Sequence, residues 1–261
     1  MTTAELTRRD ALRAGLAGAT TLLVGGIMGC GRETDRVAAG AVASCPPPQP
    51  PRRDLTMTEE RRNALTPAQA VALLKDGNGR FVGGSAYVRD AAHDRDATAG
   101  YQYPFAAILG CIDSRAPAEI VFDAGIGDVF DARVAGNIAD PNLVGSLEFS
   151  CLVSGAKVVV VMGHTNCGAV KGACDNVKLG NLTGLLALIS PAVAAVRDVP
   201  GERSSKNSAF VEAVAKENVH LCIKRIRAMS ALLREAEAKG TVMIVGAMYD
   251  LASGKVEFYD T

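Results

Sequence analysis

Residues 105–115 read FAAILGCIDSR, and residues 157–167 read KVVVVMGHTNC. Each segment is a short, continuous apolar run that is followed at once by polar side chains. Such a run predicts a strand buried on both faces, and similar runs at 129–134, 242–248 and 256–259 predict three more strands. Because helical patterns separate most of these runs, we expect an α/β fold with a mostly parallel central sheet flanked by helices.

The helical patterns have recognisable starts and stops. Thr66 and Pro67 predict a helix start, since a threonine N-cap and a proline in the first turn are both favoured there, and Gly77 is expected to end this helix. Residues 89–100 are polar and charged, which predicts a solvated loop that carries His93. The other predicted helices span 142–153, 181–196 and 208–238.

The composition allows one sizeable hydrophobic core, because 48% of the 261 residues are apolar and 21% are charged. Lys and Arg total 28, as do Asp and Glu, so the formal net charge is zero. Without a basic field to attract it, a nucleic-acid partner is not expected. The three histidines are His93, His164 and His220, and we interpret His220 as a structural residue of the predicted 208–238 helix.

Residues 1–29 have the pattern of a signal peptide. A basic segment with Arg8 and Arg9 precedes a glycine-diluted apolar stretch that is too short for a membrane-spanning helix. The paired arginines resemble a twin-arginine export signal, and Ile27–Cys30 resembles a bacterial lipobox. We therefore expect an exported protein, in the periplasm or on the outer face of the cell envelope, with a lipid anchor at Cys30. The alternative is cleavage elsewhere before Pro46, with Cys30 unmodified.

Residues 30–56 are rich in alanine and then in proline, a composition typical of a semi-extended tether. Cys45 lies in this segment and has no evident partner in the sequence. The folded, catalytic domain is accordingly expected at 57–261.

Cys111, His164 and Cys167 lie just after two of the predicted buried strands. Ligands bind at the carboxyl ends of the strands in an open parallel sheet, so these side chains are expected at one edge. Thiolate sulfur and imidazole nitrogen suit zinc, and three protein ligands leave one position open, as in catalytic zinc sites. Cys151 and Cys174 can in principle close the site, but buried free thiols explain them better.

Asp113 and Arg115 follow Cys111 at intervals of two residues, so the three side chains share one side of an extended segment. A bidentate ion pair with Arg115 holds the Asp113 carboxylate and keeps the fourth zinc position open to water. Zinc lowers the pKa of such a water to about 7, and ionised Asp113 can orient the resulting hydroxide. The residues alone therefore predict a zinc-dependent hydration or hydrolysis site.

Three segments, 107–115, 134–137 and 163–168, resemble the motifs of β-class carbonic anhydrases. The similarity extends from about Gly77 and Asn78 to the final strand. This resemblance implies a zinc enzyme with an α/β fold that hydrates carbon dioxide reversibly to bicarbonate and a proton. It also implies an obligate homodimer that can pair further.

Position by position, the resemblance makes Cys111, His164 and Cys167 the zinc ligands. It makes Asp113 and Arg115 the pair that gates the metal and orients the zinc-bound hydroxide.

The resemblance also implies a substrate pocket. Gln102 matches a glutamine that can hydrogen-bond substrate from the neighbouring subunit, and Phe130 matches an apolar pocket wall. Gly136 and Asn137 belong to the motif that lines the cleft.

The sequence departs from the family pattern at two positions. Phe149 stands where many members carry a tyrosine, and Ile108 stands where a subset with a closed, bicarbonate-regulated site carries a tryptophan. The open, water-bound form is therefore expected near neutral pH, with Asp113 as a fourth zinc ligand at low pH.

Two other functions fit the same residues. Relatives of this family hydrolyse carbon disulfide or carbonyl sulfide, which is the alternative enzyme activity. A non-catalytic zinc-binding envelope protein is the third alternative, but such a protein needs neither Asp113 nor Arg115.

Overall fold

The computed structural model describes residues 55–259. The expected signal peptide at 1–29 and nearly all of the expected tether at 30–56, with Cys30 and Cys45, lie outside this part of the chain. Within residues 55–259, no helix combines the length and the apolar content that crossing a membrane requires.

Five strands form the centre of the fold: β1 (Ala106–Gly110), β2 (Val129–Arg133), β3 (Val158–His164), β4 (Met243–Tyr249) and β5 (Val256–Tyr259). Their spatial order is β2-β1-β3-β4-β5, and all neighbours are parallel except the antiparallel pair β4 and β5. Every residue of β1 and β3 is buried, because helices cover both faces of the sheet. The predicted α/β fold with a mostly parallel central sheet is confirmed.

Ten α-helices lie within the described residues. They are α1 (Glu59–Ala64), α2 (Pro67–Val82), α3 (Ala91–Thr98), α4 (Ala118–Val121), α5 (Pro141–Glu148), α6 (Gly168–Cys174), α7 (Leu182–Ala187), α8 (Ser190–Ala195), α9 (Ser208–Met229) and α10 (Ala231–Ala238).

Helix α2 begins as predicted but ends later. Thr66 caps it in a reciprocal arrangement with Gln69, which satisfies two free backbone amides. Gly77 lies inside the helix and does not end it, so that prediction was wrong. A Cβ atom at Gly77 would lie 1.9 Å from the backbone oxygen of Phe122. The glycine is therefore there for a close approach between two chain segments.

Residues 89–100 are not the solvated loop that their polarity predicted, because eight of them form α3. Asp90 caps this helix by accepting hydrogen bonds from the backbone amides of Ala92 and His93. Asp94 is buried, whereas His93 is exposed, as expected. Charged residues thus form a helix here because one of them packs inward.

The later helices are shorter than the predicted spans. The predicted 208–238 helix breaks at Ser230, whose hydroxyl accepts a hydrogen bond from the backbone amide of Leu233 and so starts α10. The other two predicted spans divide into α5 with a π-helical turn (Phe149–Val153), and into α7 with α8.

Candidate metal centre and active site

Three ligand side chains meet at the carboxyl edge of the sheet. Cys111 directly follows β1, His164 is the last residue of β3, and Cys167 precedes the first residue of α6. All three residues are buried, and their ligand atoms lie within 4.8 Å of one another. In the described part of the chain, they are the one group of three or more Cys, His, Asp or Glu side chains placed to hold a metal ion.

The spacing and the orientation of these atoms fit zinc. The Sγ atoms of Cys111 and Cys167 are 4.0 Å apart, close to the roughly 3.8 Å that two thiolates about 2.3 Å from a tetrahedral zinc ion require. The Nδ1 atom of His164 lies 2.9 Å from the carbonyl oxygen of Thr165. An Nδ1 proton donated there leaves the lone pair on Nε2, which is buried without a partner. The residues present therefore fit the metal.

The two thiols affect each other's ionisation. Hydrogen bonds from Cys167 and from the backbone amide of Gly136 lower the pKa of Cys111. The hydrogen bond to Cys111, burial and the negative charge of Cys111 raise the pKa of Cys167. The first thiolate therefore forms readily, while a second one needs a compensating cation, which is the role a divalent metal fills.

Asp113 and Arg115 form the bidentate ion pair that their spacing predicts. The Nε and Nη2 atoms of Arg115 donate to the two carboxylate oxygens of Asp113 at 2.9 and 2.8 Å. Hydrogen bonding from Arg115 holds the pKa of Asp113 below its usual range, so this carboxylate is ionised at neutral pH. Its Oδ2 atom lies 3.9 Å from Nε2 of His164. The structure thus shows Asp113 held by Arg115 beside the ligand cluster.

Gly136 and Asn137 form a tight turn against the cluster. Both have left-handed backbone conformations, with φ of 71° and 43°. The backbone amide of Asn137 donates to the carbonyl oxygen of Val134 at 2.9 Å, which closes the turn. The backbone amide of Gly136 then points at Cys111, with its nitrogen 3.3 Å from Sγ. The structure thus places this turn next to Cys111.

Two residues that position this site were missed by the sequence analysis. Arg133, at the end of β2, donates hydrogen bonds to the backbone carbonyl oxygens of Cys111 and Asp113. Asn218, in α9, is fully buried and donates to the carbonyl oxygen of Gly136 at 2.8 Å. The signal for each was a polar residue within an apolar pattern, namely a strand for Arg133 and a helix stripe for Asn218.

Phe130 and Gln102 lie away from the cluster within one chain. On the sheet, Phe130 pairs with Ala107. Ala107 precedes Gly110, the last residue of β1, by three residues, so Phe130 lies about 10 Å back along the strand from the edge that carries the cluster. Its ring packs edge-on against Phe149, with ring centroids 6.1 Å apart, at the wall of a surface groove of about 470 Å³. Gln102 is exposed and precedes β1, whereas the cluster follows the carboxyl ends of the strands.

The remaining candidates outside the cluster are structural. Cys151 and Cys222 are buried, and burial raises the pKa of Cys151 to about 12 and that of Cys222 to about 11. Cys174 is only partly buried, so the expectation of a buried thiol was wrong there. His220 stacks on Tyr259, with ring centroids 5.5 Å apart, and thus supports the packing of α9 on β5.

Comparison with known proteins identifies the family. Residues 106–256 match the profile of the carbonic anhydrase family. Carbonic anhydrase 2 of Mycobacterium tuberculosis is 34% identical over 200 residues, which cover 74% of this chain and 93% of that protein. These names favour carbon dioxide hydration over both the carbon disulfide alternative and a non-catalytic protein.

Solved structures identify the class. A β-carbonic anhydrase from Aspergillus fumigatus superimposes with a TM-score of 0.56 at 26% identity, covering 74% of this chain and 90% of that chain. A structure from Sordaria macrospora, described as a tetrameric β-carbonic anhydrase, gives a TM-score of 0.57 at 25% identity, covering 74% and 98%. The chain therefore belongs to the β-class of the carbonic anhydrase family and is an enzyme that hydrates carbon dioxide reversibly.

Proposed function

We propose that Cys111, His164 and Cys167 hold one catalytic zinc ion per chain, and that Asp113 and Arg115 control access to it. The observation that carries this proposal is the buried, unpartnered Nε2 atom of His164 beside two thiols, with their ligand atoms within 4.8 Å of one another. Zinc held there acts as a Lewis acid and supplies a nucleophile from water at neutral pH.

Asp113 has two tasks in this proposal. As an ionised acceptor it takes a hydrogen bond from the attacking group and so fixes the direction of its lone pair. It stays off the metal because Arg115 engages both of its carboxylate oxygens. The open form is therefore the resting form near neutral pH. Asp113 would take the fourth ligand position only where its pair with Arg115 is broken, which is the state we propose for low pH.

The substrate pocket is completed by a second copy of the chain. Gly136 and Asn137 line the cleft in the same chain, whereas Gln102 and Phe130 reach the cluster of the partner. Exposed apolar surface supports this assembly: Phe149, which lines the groove with Phe130, is 50% exposed, and Val153, in the same π-helical turn, is 73% exposed. An apolar wall suits carbon dioxide, which carries no charge. We propose a homodimer as the minimal active form.

We also propose that the protein is exported and anchored in the cell envelope. Export through a twin-arginine signal at 1–29 allows zinc to bind reduced Cys111 and Cys167 before the folded chain reaches an oxidising compartment. Lipidation at Cys30 then anchors the domain to the envelope through the tether at 30–56. Mass spectrometry of the membrane fraction should find an acylated N-terminal Cys30, and an unmodified soluble form contradicts the anchor.

The roles of the two charged residues are tested by stopped-flow carbon dioxide hydration of Asp113→Asn and Arg115→Ala, with zinc content measured in the same samples. Both variants are expected to keep zinc and to lose activity by roughly 10²-fold or more, the usual scale for a positioned proton-accepting group. Arg227→Ala, which removes a partly exposed ion pair with Glu237, is the control. Zinc-loaded variants with the activity of the unmutated chain contradict the assigned roles.

A further inference from the structure

Asn218 lies on α9, outside every motif that defines the metal site. Asn218 is completely buried, and its Nδ2 atom donates to the carbonyl oxygen of Gly136 at 2.8 Å. Its Oδ1 atom accepts from the thiol of Cys222, with the two atoms 3.9 Å apart. Both ends of the amide are thus engaged, which sets its orientation with the donor toward Gly136.

The Gly136 turn is held at several points. The backbone amide of Val134 donates to the carbonyl oxygen of Gly110 at 3.1 Å, and that of Asn137 donates to Val134 at 2.9 Å. Asn218 ties down the Gly136 carbonyl group. The remaining polar group of Gly136 is its amide, whose nitrogen lies 3.3 Å from Sγ of Cys111.

We infer that Asn218 is a positioning residue for the metal site, because it fixes the Gly136 turn so that the Gly136 amide donates a hydrogen bond to the Cys111 sulfur. This inference rests on the proposed zinc site and adds a residue that touches neither metal nor substrate. A hydrogen bond to a ligating thiolate withdraws electron density from sulfur and fixes the direction of its lone pair. Partners of this kind typically contribute about 10- to 100-fold to metal affinity or activity.

The hydrogen bond is tested directly in the unmutated, full-length chain. The protein is labelled with ¹⁵N and loaded with ¹¹³Cd, and scalar coupling between cadmium and amide protons is measured by NMR. Coupling at the Gly136 amide supports the inference. Cadmium that binds through Cys111 without coupling at Gly136 overturns the inference alone. Cadmium that does not bind through Cys111 overturns the zinc site as well.

The role of Asn218 is tested by Asn218→Leu, which keeps the side-chain shape and removes the donor. In the cobalt-substituted protein the sulfur-to-metal charge-transfer band should move to longer wavelength, because sulfur holds its electrons less tightly without the hydrogen bond. Zinc affinity, measured by competition with a chelator, should fall by roughly 10-fold or more.

The matched control is Ile226→Val, since Ile226 is also fully buried on α9 and lies eight residues, or about 12 Å, further along the helix. It should change packing and leave the band and the zinc affinity as they are. Identical cobalt spectra for Asn218→Leu and Ile226→Val overturn the role of Asn218. If Asn218→Leu does not fold, the cadmium measurement on the unmutated chain can still overturn the inference, because an absent coupling at Gly136 removes the hydrogen bond that Asn218 is inferred to position.

Discussion

A methyl group added at Gly136 tests whether the turn beside the metal site has the geometry described. Gly136 has φ of 71°, and a Cβ atom there would lie 2.6 Å from Cδ1 of Ile189 and 3.2 Å from Cβ of Ala169. The left-handed conformation costs an alanine about 1–2 kcal/mol. Crowding against Ile189 and Ala169 adds about 1–2 kcal/mol, because the Ile189 side chain can swing partly aside. Gly136→Ala should therefore lose about 2–4 kcal/mol of unfolding free energy.

Urea denaturation of the zinc-free protein measures this loss. The control is Gly79→Ala, since Gly79 lies inside α2 with no heavy atom within 4 Å of an added Cβ. That change should stabilise the protein by about 0.5–1 kcal/mol, because alanine restricts the unfolded chain and favours the helix. Gly136→Ala should also lower zinc affinity, since the amide that faces Cys111 shifts. If Gly136→Ala is as stable as Gly79→Ala, the reasoning about this turn is refuted.

Three further substitutions probe Arg133, Asp131 and Phe149. Arg133→Met removes the hydrogen bonds to the backbone carbonyl oxygens of Cys111 and Asp113 and should weaken zinc binding by roughly 10-fold in a chelator competition, whereas Arg227→Met should not. Equal zinc affinities of the two variants would argue against a positioning role for Arg133. Burial raises the pKa of Asp131 to about 6, so its ionisation costs stability as pH rises from about 4 to about 6. Asp131→Asn should therefore gain roughly 1–3 kcal/mol over the unmutated chain at pH 7.5 but not at pH 4, and a gain of equal size at both pH values in urea denaturation would contradict the shift. Phe149→Glu should give a monomer in light scattering, while Leu232→Glu, at an apolar residue of similar exposure, should stay a dimer; a dimeric Phe149→Glu protein would exclude the proposed interface.

The strands and the cluster of Cys111, His164 and Cys167 could be predicted because their signals are local. The continuous apolar run at 158–163 strongly favours a strand buried on both faces, and the structure forms β3 there. Strand β5 has the predicted bounds. The side chains of Cys111, His164 and Cys167 contain sulfur and nitrogen atoms that can bind a metal ion. Parallel strands end at the same edge of a sheet, which brings these side chains together. The ion pair between Asp113 and Arg115 was predicted from their two-residue spacing, and the structure shows the predicted bidentate geometry.

The other features depend on contacts between distant segments. Glycine often ends a helix, but Gly77 lies inside α2, where it allows the backbone of Phe122 to approach closely. Helix α3 forms from charged residues because Asp94 packs inward. Asn218 and Gly136 are 82 residues apart, so no local pattern connects them. Such contacts appear only once the fold has brought the segments together.

Cys111, His164 and Cys167 are proposed to form the catalytic zinc site at which this chain hydrates carbon dioxide. The most direct measurement is stopped-flow hydration by the unmutated, full-length chain loaded with zinc. We expect hydration well above the buffer rate, loss of that activity when a chelator removes the zinc, and recovery when zinc returns. A chain that holds one zinc ion per copy and hydrates carbon dioxide no faster than buffer would contradict this proposal.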